Sequence, residues 1–256
     1  MNIHQVAAQL FTIRDFIKTP EDIAKSLRRV REIGYEAVQI SAMGPIPEED
    51  LVKILRDEGL VCCATHEPSQ TVLENPEGVV ERLQKLGCRY TAYPYPGGVD
   101  LSDPAQVRSL AGRLEHAGQV LAGAGLTLTY HNHATEWIRH DGRLVMEMIL
   151  DGTRPEHLKV EIDTYWVQVG GGDPVDWCRR LGNRLPLLHM KDYGMTKDKG
   201  PVMAEIGRGN LNFPAIVAAA EKSGCEWFIV EQDVCPGDPF ESLKLSFDFI
   251  RENLVS

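Results

Sequence analysis

"LTLTYHNH" (residues 126–133) closes an apolar run with two imidazoles, and its alternation decides how the rest of the chain is read. Side chains on a strand point alternately to opposite faces. Leu126, Leu128 and Tyr130 therefore share one face, and Thr127, Thr129, His131 and His133 share the other. The first face suits a layer of helices. The second must meet something that tolerates polar groups.

The spacing recurs three more times. In "LKVEID" (158–163), Val160 and Ile162 oppose Glu161 and Asp163. In "PLLHMKD" (186–192), Leu187, His189 and Lys191 share a face. In "EWFIVEQD" (226–233), Phe228 and Val230 oppose Ile229, Glu231 and Asp233. Working outward, runs of strand length alternate with helical stretches along the whole chain. "HQVAAQL" precedes "PEDIAKSLRRVREIG", where Pro20 opens a helix and Gly34 stops it. "EAVQIS", "LVCCATH" and "YTAYPY" precede "PEEDLVKILRDEG", "NPEGVVERLQKLG" and "PAQVRSLAGRLEHAGQVLAGAG". The four later strands precede "RLVMEMILDG", "PVDWCRRLGNR", "FPAIVAAAEKSG" and "PFESLKLSFDFIREN", completing eight pairs in 256 residues.

Strict alternation means parallel strands with helical crossovers. Eight pairs in a chain of this length predict a closed α/β (β/α)8 TIM barrel, one domain over residues 1–256. The competing architecture, an open doubly wound sheet, calls for a GxGxxG turn after an early strand. None is present; "GGG" (170–172) and "GRGN" (207–210) come late.

The formal charge of −10 and the pI of about 5.3 argue against nucleic acid or an anionic membrane as partner. They leave room for a local basic pocket. No apolar run approaches the roughly 18–20 residues of a membrane span, and "MNIHQVAAQLFTIRD" reads as a first strand, not a signal peptide. None of the six cysteines forms a CxxC pair, which argues against a zinc ribbon and for reduced thiols in the cytoplasm.

In a TIM barrel the chemistry sits at the C-terminal strand ends. Strands five to eight aim ionisable groups at that mouth, and so many charges in one cavity are costly unless compensated. A divalent cation is the economical solution. Mixed imidazole and carboxylate donors suit Mn²⁺, Zn²⁺, Co²⁺ or Fe²⁺ better than Ca²⁺. The candidate ligands are His131, Asp163, His189 and Glu231.

"QLFTIRD", "YHNH…EW", "EIDTYWVQVGGGDP", "LLHMKDYG", "EIGRGNLNF" and "IVEQD" together resemble the xylose isomerase-like barrels of the sugar phosphate isomerase/epimerase superfamily over nearly the whole chain. That group includes ketose 3-epimerases, inosose dehydratase and isomerase, hydroxypyruvate isomerase and 3-dehydroshikimate dehydratase. The resemblance implies a manganese-type ion, with Zn²⁺, Co²⁺, Fe²⁺ or Mg²⁺ as alternatives. Its usual ligands are Glu, Asp, His and Glu. Asp163, His189 and Glu231 carry over directly. The usual fifth-strand Glu stands here as His131, or is replaced by Glu136 reaching back from the loop. Strand parity favours the first and chemical type the second.

The implied chemistry is Lewis-acid stabilisation of an enediolate while a base removes the proton beside a sugar carbonyl. Returning the proton to the neighbouring carbon isomerises, returning it to the other face epimerises, and expelling a β-substituent eliminates. Glu231 is the first choice of base, with His133 or Glu161 as counterpart. Lys191 either stabilises an enolate oxygen or pairs with Glu161. His66, ending the third strand, is a substrate or structural hydrogen-bonder. Trp166, and less directly Trp137, are walls for a sugar face. Arg208 lies where barrels often hold phosphate, against the plainer reading of a solvated loop arginine. Asn210 and Asn212 read as turn residues, and His4, His116, His140 and His157 as surface or loop histidines.

The function expected is thus a metal-dependent sugar or keto-sugar isomerase or epimerase, with a dehydratase or lyase on a keto-sugar or inosose as the alternative. The partner expected is a small carbohydrate or polyol, in a homo-oligomer. An endonuclease IV-like nuclease needs three zinc ions and a basic groove, which a charge of −10 does not supply. A barrel that binds sugar without turnover is the remaining class.

Overall fold

The computed structural model describes residues 1–255. Eight parallel strands close a barrel: β1 (Val6–Gln9), β2 (Ala37–Ile40), β3 (Val61–His66), β4 (Tyr90–Tyr93), β5 (Thr127–His131), β6 (Leu158–Asp163), β7 (Leu187–Met190) and β8 (Trp227–Val230). The barrel closes where Val6 pairs with Phe228 on one side of β1 and Ala7 with Ala37 on the other. The crossover helices are α1 (Pro20–Ile33), α2 (Glu48–Asp57), α3 (Pro76–Leu86), α4 (Pro104–Gly123), α5 (Val145–Asp151), α6 (Pro174–Leu181), α7 (Phe213–Lys222) and α8 (Pro239–Asn253). Two small antiparallel hairpins interrupt the alternation, one pairing Arg139–His140 with Arg143–Leu144 and one pairing Asp192–Thr196 with Gly200–Ala204.

Local chemistry sets where the helices begin. Six of the eight, all but α2 and α5, carry proline in the first turn behind a capping side chain. Thr19, Asn75, Asp103, Asp173, Asn212 and Asp238 each accept a backbone N–H of that turn. Such a cap is worth about 1 kcal/mol, and proline there loses no hydrogen bond because the first amides have no intrahelical partner. Asn212 is thus a helix cap and not merely a turn residue.

The parity expected of the strands is what the core displays. Leu128, Tyr130, Val160, Ile162, Phe228 and Val230 join the large apolar layer between strands and helices. A separate, smaller cluster fills the lower barrel: Ala7, Ala37, Cys63, Ala64, Tyr90, Leu187 and Ile229. Two residues further along four of those strands stand Gln9, Gln39, His189 and Glu231, all buried. A register shift between β2 and β3 at Val38/Gln39 brings both Cys63 and Ala64 into the lower layer. The first strand is shorter than its apolar run, because from Leu10 the chain turns into 3-10 geometry as far as Phe16. No described helix is long and apolar enough to cross a membrane, and all six cysteines are free thiols.

Candidate functional site

Four side chains converge at the upper barrel. His131 ends β5, Asp163 ends β6, His189 sits on β7 and Glu231 follows β8. Their donor atoms lie within 4.8 Å of one another, and all four residues are buried. His131 Nε2 faces Asp163 Oδ2 at 3.5 Å. His189 Nδ1 lies 3.0 Å from Glu231 Oε2 and 3.8 Å from Asp163 Oδ2. His131 Nε2 is buried without a hydrogen-bond partner, which is costly unless something else engages it, while Asp163 Oδ2 lies 3.0 Å from the Lys191 ammonium.

Each imidazole is held by its other nitrogen. His131 Nδ1 lies 3.2 Å from the Pro94 carbonyl, so it carries the proton and leaves the Nε2 lone pair facing the cluster. His189 Nε2 lies 2.6 Å from Gln39 Oε1 and 3.3 Å from Glu161 Oε2, so its Nδ1 faces the cluster. Imidazole rings anchored through one nitrogen to a carbonyl or carboxylate are the usual setting of metal-ligating histidine. Gln39 is itself fixed, accepting from Gln9 Nε2 at 2.7 Å and donating to Glu161 at 2.6 Å. The donor set and the orphaned His131 nitrogen therefore fit a divalent cation. Nitrogen and oxygen donors in this ratio suit a transition ion better than calcium.

Lys191 crosses the same space. Its ammonium lies 2.6 Å from Glu231, 3.0 Å from Asp163 and 3.0 Å from Asp233. Burial disfavours its charge, but the three carboxylates outweigh that and hold it well above the ordinary lysine range. In return Lys191 and His189 hold Glu231 well below the usual carboxylate range, against burial. Asp233, half-buried, is pushed up to about 6 by desolvation and the neighbouring Glu231. His133 goes the other way: burial, then the neighbouring His131, lower it to about 3, so it is a neutral imidazole. Its Nδ1 has no partner.

A cleft of about 630 Å³ opens above this cluster, lined by His66, His131, His133, Lys191 and Glu231 among others. That volume is in the usual range for small-molecule sites. His66 reaches it from β3, with Nε2 lying 2.6 Å from Glu161. Glu161 itself is fully buried and not part of the cleft wall. It is expected as an acid/base group in its own right, yet its geometry lets it act only through His66 and His189. Trp166 stands beside the cleft, its ring 5.5 Å from that of His133 and 5.8 Å from the Lys191 ammonium.

Three of the expected site residues lie elsewhere. The Glu136 carboxylate turns away from the cluster, accepting the Tyr130 hydroxyl, the His133 amide and the Thr135 hydroxyl. It caps a short 3-10 turn, so His131 alone represents the fifth strand. Trp137 packs edge-on against Trp177 and closely over Gly170 and Gly172, beneath the surface and not on the cleft. Arg208 is exposed and does not line the cleft. Its loop has no spare amides for a phosphate, because Asp192 takes those of Gly207 and Gly209 at 2.9 Å each and that of Leu211 at 3.2 Å.

The sequence reading missed Gln9 and Gln39, although their strand parity marks both as inward-facing. It also missed Arg14, Phe11 and Tyr95, which line the cleft from loops. Loops carry no periodic signal, so nothing in the pattern announced them.

Comparison with known proteins agrees with this architecture. The profile of the family described as "Xylose isomerase-like TIM barrel" matches residues 27–253. An inosose dehydratase of Geobacillus kaustophilus is 22% identical, over 88% of this chain and 85% of its own. One from Mesomycoplasma hyopneumoniae is 27% identical, over 98% and 95%. Among solved structures, a sugar phosphate isomerase/epimerase of Parabacteroides distasonis superposes with a TM-score of 0.82 at 21% identity, covering 97% of this chain and 98% of that one. An L-ribulose 3-epimerase superposes at 0.75 with 16% identity, covering 99% and 95%. With a matched profile over most of its length and the same closed barrel, the chain belongs to the xylose isomerase-like TIM barrel family.

Proposed function

We propose that the protein is a divalent-metal-dependent enzyme that removes the proton beside the carbonyl of a keto-sugar or inosose and proceeds through an enediolate. One observation carries this: the buried, unpartnered His131 Nε2 faces Asp163 Oδ2 at 3.5 Å, within reach of His189 and Glu231 beneath an open cleft. His131, Asp163, His189 and Glu231 would hold the ion, Mn²⁺ first among the candidates. A bound divalent ion supplies Lewis acidity that stabilises negative charge on a carbonyl oxygen.

The chain's own groups divide the remaining work. Glu231, held ionised by Lys191 and His189, is the base for the carbon-bound proton. The Lys191 ammonium offsets the negative charge that develops beside it. His66, oriented by Glu161, and neutral His133 form the opposite wall and hydrogen-bond substrate oxygens.

Isomerisation, epimerisation and elimination share this first step. A specific observation favours elimination as the outcome. With histidine at the fifth-strand position, Glu231 has no second glutamate opposite it, and its charged neighbour in the cleft is the Lys191 ammonium. Glu231 can take the carbon-bound proton while the Lys191 ammonium donates one to a departing hydroxyl. The inosose dehydratase names of the sequence relatives agree with that reading.

Elemental analysis of protein purified without chelator tests the metal, with about one ion per chain expected. The ion should be lost in His131→Ala and kept in Glu136→Ala. Retention in His131→Ala, or no metal after reloading with Mn²⁺, overturns the site. Proton NMR of keto-sugars and inososes in D₂O tests the chemistry. Exchange beside the carbonyl is expected, with an unsaturated product if elimination follows and an epimer or aldose if it does not.

A further inference from the structure

The charged side chains of the cleft are not equally committed. Lys191 is held by three carboxylates, and Glu67 by Arg82 at 2.5 Å. Arg14 differs. Among the described residues, no carboxylate forms an ion pair with its guanidinium. Its one hydrogen bond runs from Nη1 to the Phe11 carbonyl at 3.0 Å, and the guanidinium stacks over the Phe11 ring at 4.5 Å. Arginine carries five N–H donors in a fixed fork, so most of them are unspent.

The segment bearing Arg14 is firmly held. Ile13 and Ile17 are fully buried on either side. The Phe11 amide donates to the Gln9 side chain at 3.1 Å. The Gln232 amide, just past β8, donates to the Thr12 hydroxyl at 3.0 Å. Arg14 also lines a side pocket of about 250 Å³ that continues from the cleft, and so stands at the junction of the two spaces. Asp233, 3.0 Å from Lys191, lines both spaces as well, and exposed Asp15 lines the side pocket, but among the described residues neither pairs with Arg14. A preset, half-buried guanidinium without a counter-ion, with room beside it, is a receptor for a planar or tetrahedral anion.

We infer that Arg14 selects substrates with an anionic oxygen group, a carboxylate or a phosphate, at the end of the molecule remote from the reacting carbonyl. The inference deepens the proposed function and rests on its reading of the cleft as the substrate site. It narrows the class to keto-sugar acids or phosphorylated keto-sugars.

The test is titration calorimetry of Mn²⁺-treated protein with inorganic phosphate, D-glucuronate and neutral D-glucose. Wild type, Arg14→Met, Arg14→Lys and Asp163→Asn are compared. Arg14→Met keeps an unbranched stem to pack on Phe11. At least one anion should bind about tenfold or more tightly than glucose, as a charge-assisted pair allows. Arg14→Met should remove that preference without changing glucose binding, and Arg14→Lys should restore part of it. Preference for phosphate alone points to a phosphorylated substrate, and for glucuronate alone to a sugar acid. Equal binding of all three by wild type, or an anion preference that survives Arg14→Met, overturns the inference. Asp163→Asn separates the two proposals. If the metal reading fails, anion preference and its dependence on Arg14 persist; if only the anion reading fails, metal content and D₂O exchange persist.

Discussion

The barrel interior has two halves built by the same strands from opposite materials. In the lower half β1, β2, β7 and β8 contribute Ala7, Ala37, Leu187 and Ile229. Two residues later the same strands contribute Gln9, Gln39, His189 and Glu231. One pleat period separates a layer held by packing from one held by charge balance. In the lower half, loss of volume is the vulnerability. In the upper half it is loss of a partner, because each buried charge there is tolerated only while its neighbours offset it.

Removing one partner from the upper half should have the largest effect. Lys191→Met leaves Asp163, Glu231 and Asp233 without their shared cation, and urea unfolding of chelator-treated protein should register a loss of about 3–5 kcal/mol. A loss below about 1 kcal/mol would mean that water already compensates these carboxylates. In the lower half, Ile229→Ala should cost about 2–4 kcal/mol by cavity formation while leaving metal content at the wild-type level. Metal loss in that variant would show that the two layers are not separable.

Outside the barrel interior the effects shrink. Asp192→Ala strands amides of the loop after β7 and should cost about 1–3 kcal/mol, with the loss visible as faster amide exchange at Gly207 and Gly209. The smallest effect is at the surface. Burial opposes ionisation of Glu115, but the Arg154 amide and His157 outweigh it and hold its carboxyl below the usual range. That stabilisation is present above the unfolded-state value of about 4.3 and fades as the pH falls through the lower folded value. Glu115→Gln should therefore cost at most about 1 kcal/mol at pH 7, and the gap to wild type should close as the pH falls through the lower folded value. A constant gap across that range would assign the effect to packing.

How much of this was legible follows from where periodicity operates. The alternation in "LTLTYHNH" and "LKVEID" identified the inward faces, and with them His131 and Asp163, because β-parity leaves a side chain no other choice. Prolines 20 and 174 marked helix starts through the same capping chemistry that the structure displays. Glu136 and Trp137 could not be placed from the sequence because they lie past the end of β5, where parity stops. Only the hydrogen bonds of the 3-10 turn decide that the carboxylate faces Tyr130 and not the cluster. Arg208 was left between a phosphate site and a solvated loop for a related reason, and the structure shows the plainer, exposed loop arginine. A loop rich in glycine resembles an anion cradle until its amides are counted, and here Asp192 has already taken them. Within that knot Gly209 is pressed against Asp192, and Gly207, at φ +84°, against the Phe249 ring, so neither position leaves room for a side chain.

The knot also has a consequence for how this barrel can diversify. Asp192 opens the hairpin that spans to Ala204, and through Gly207, Gly209 and Leu211 it fastens the chain that leaves it. Both feet of the hairpin are thus tied to one carboxylate, while the tip at residues 197–199 is exposed. Length can be added or removed at that tip without transmitting strain to β7 or β8. A lineage could graft a longer flap over the mouth there, changing what enters the cleft while the buried charges below remain as they are.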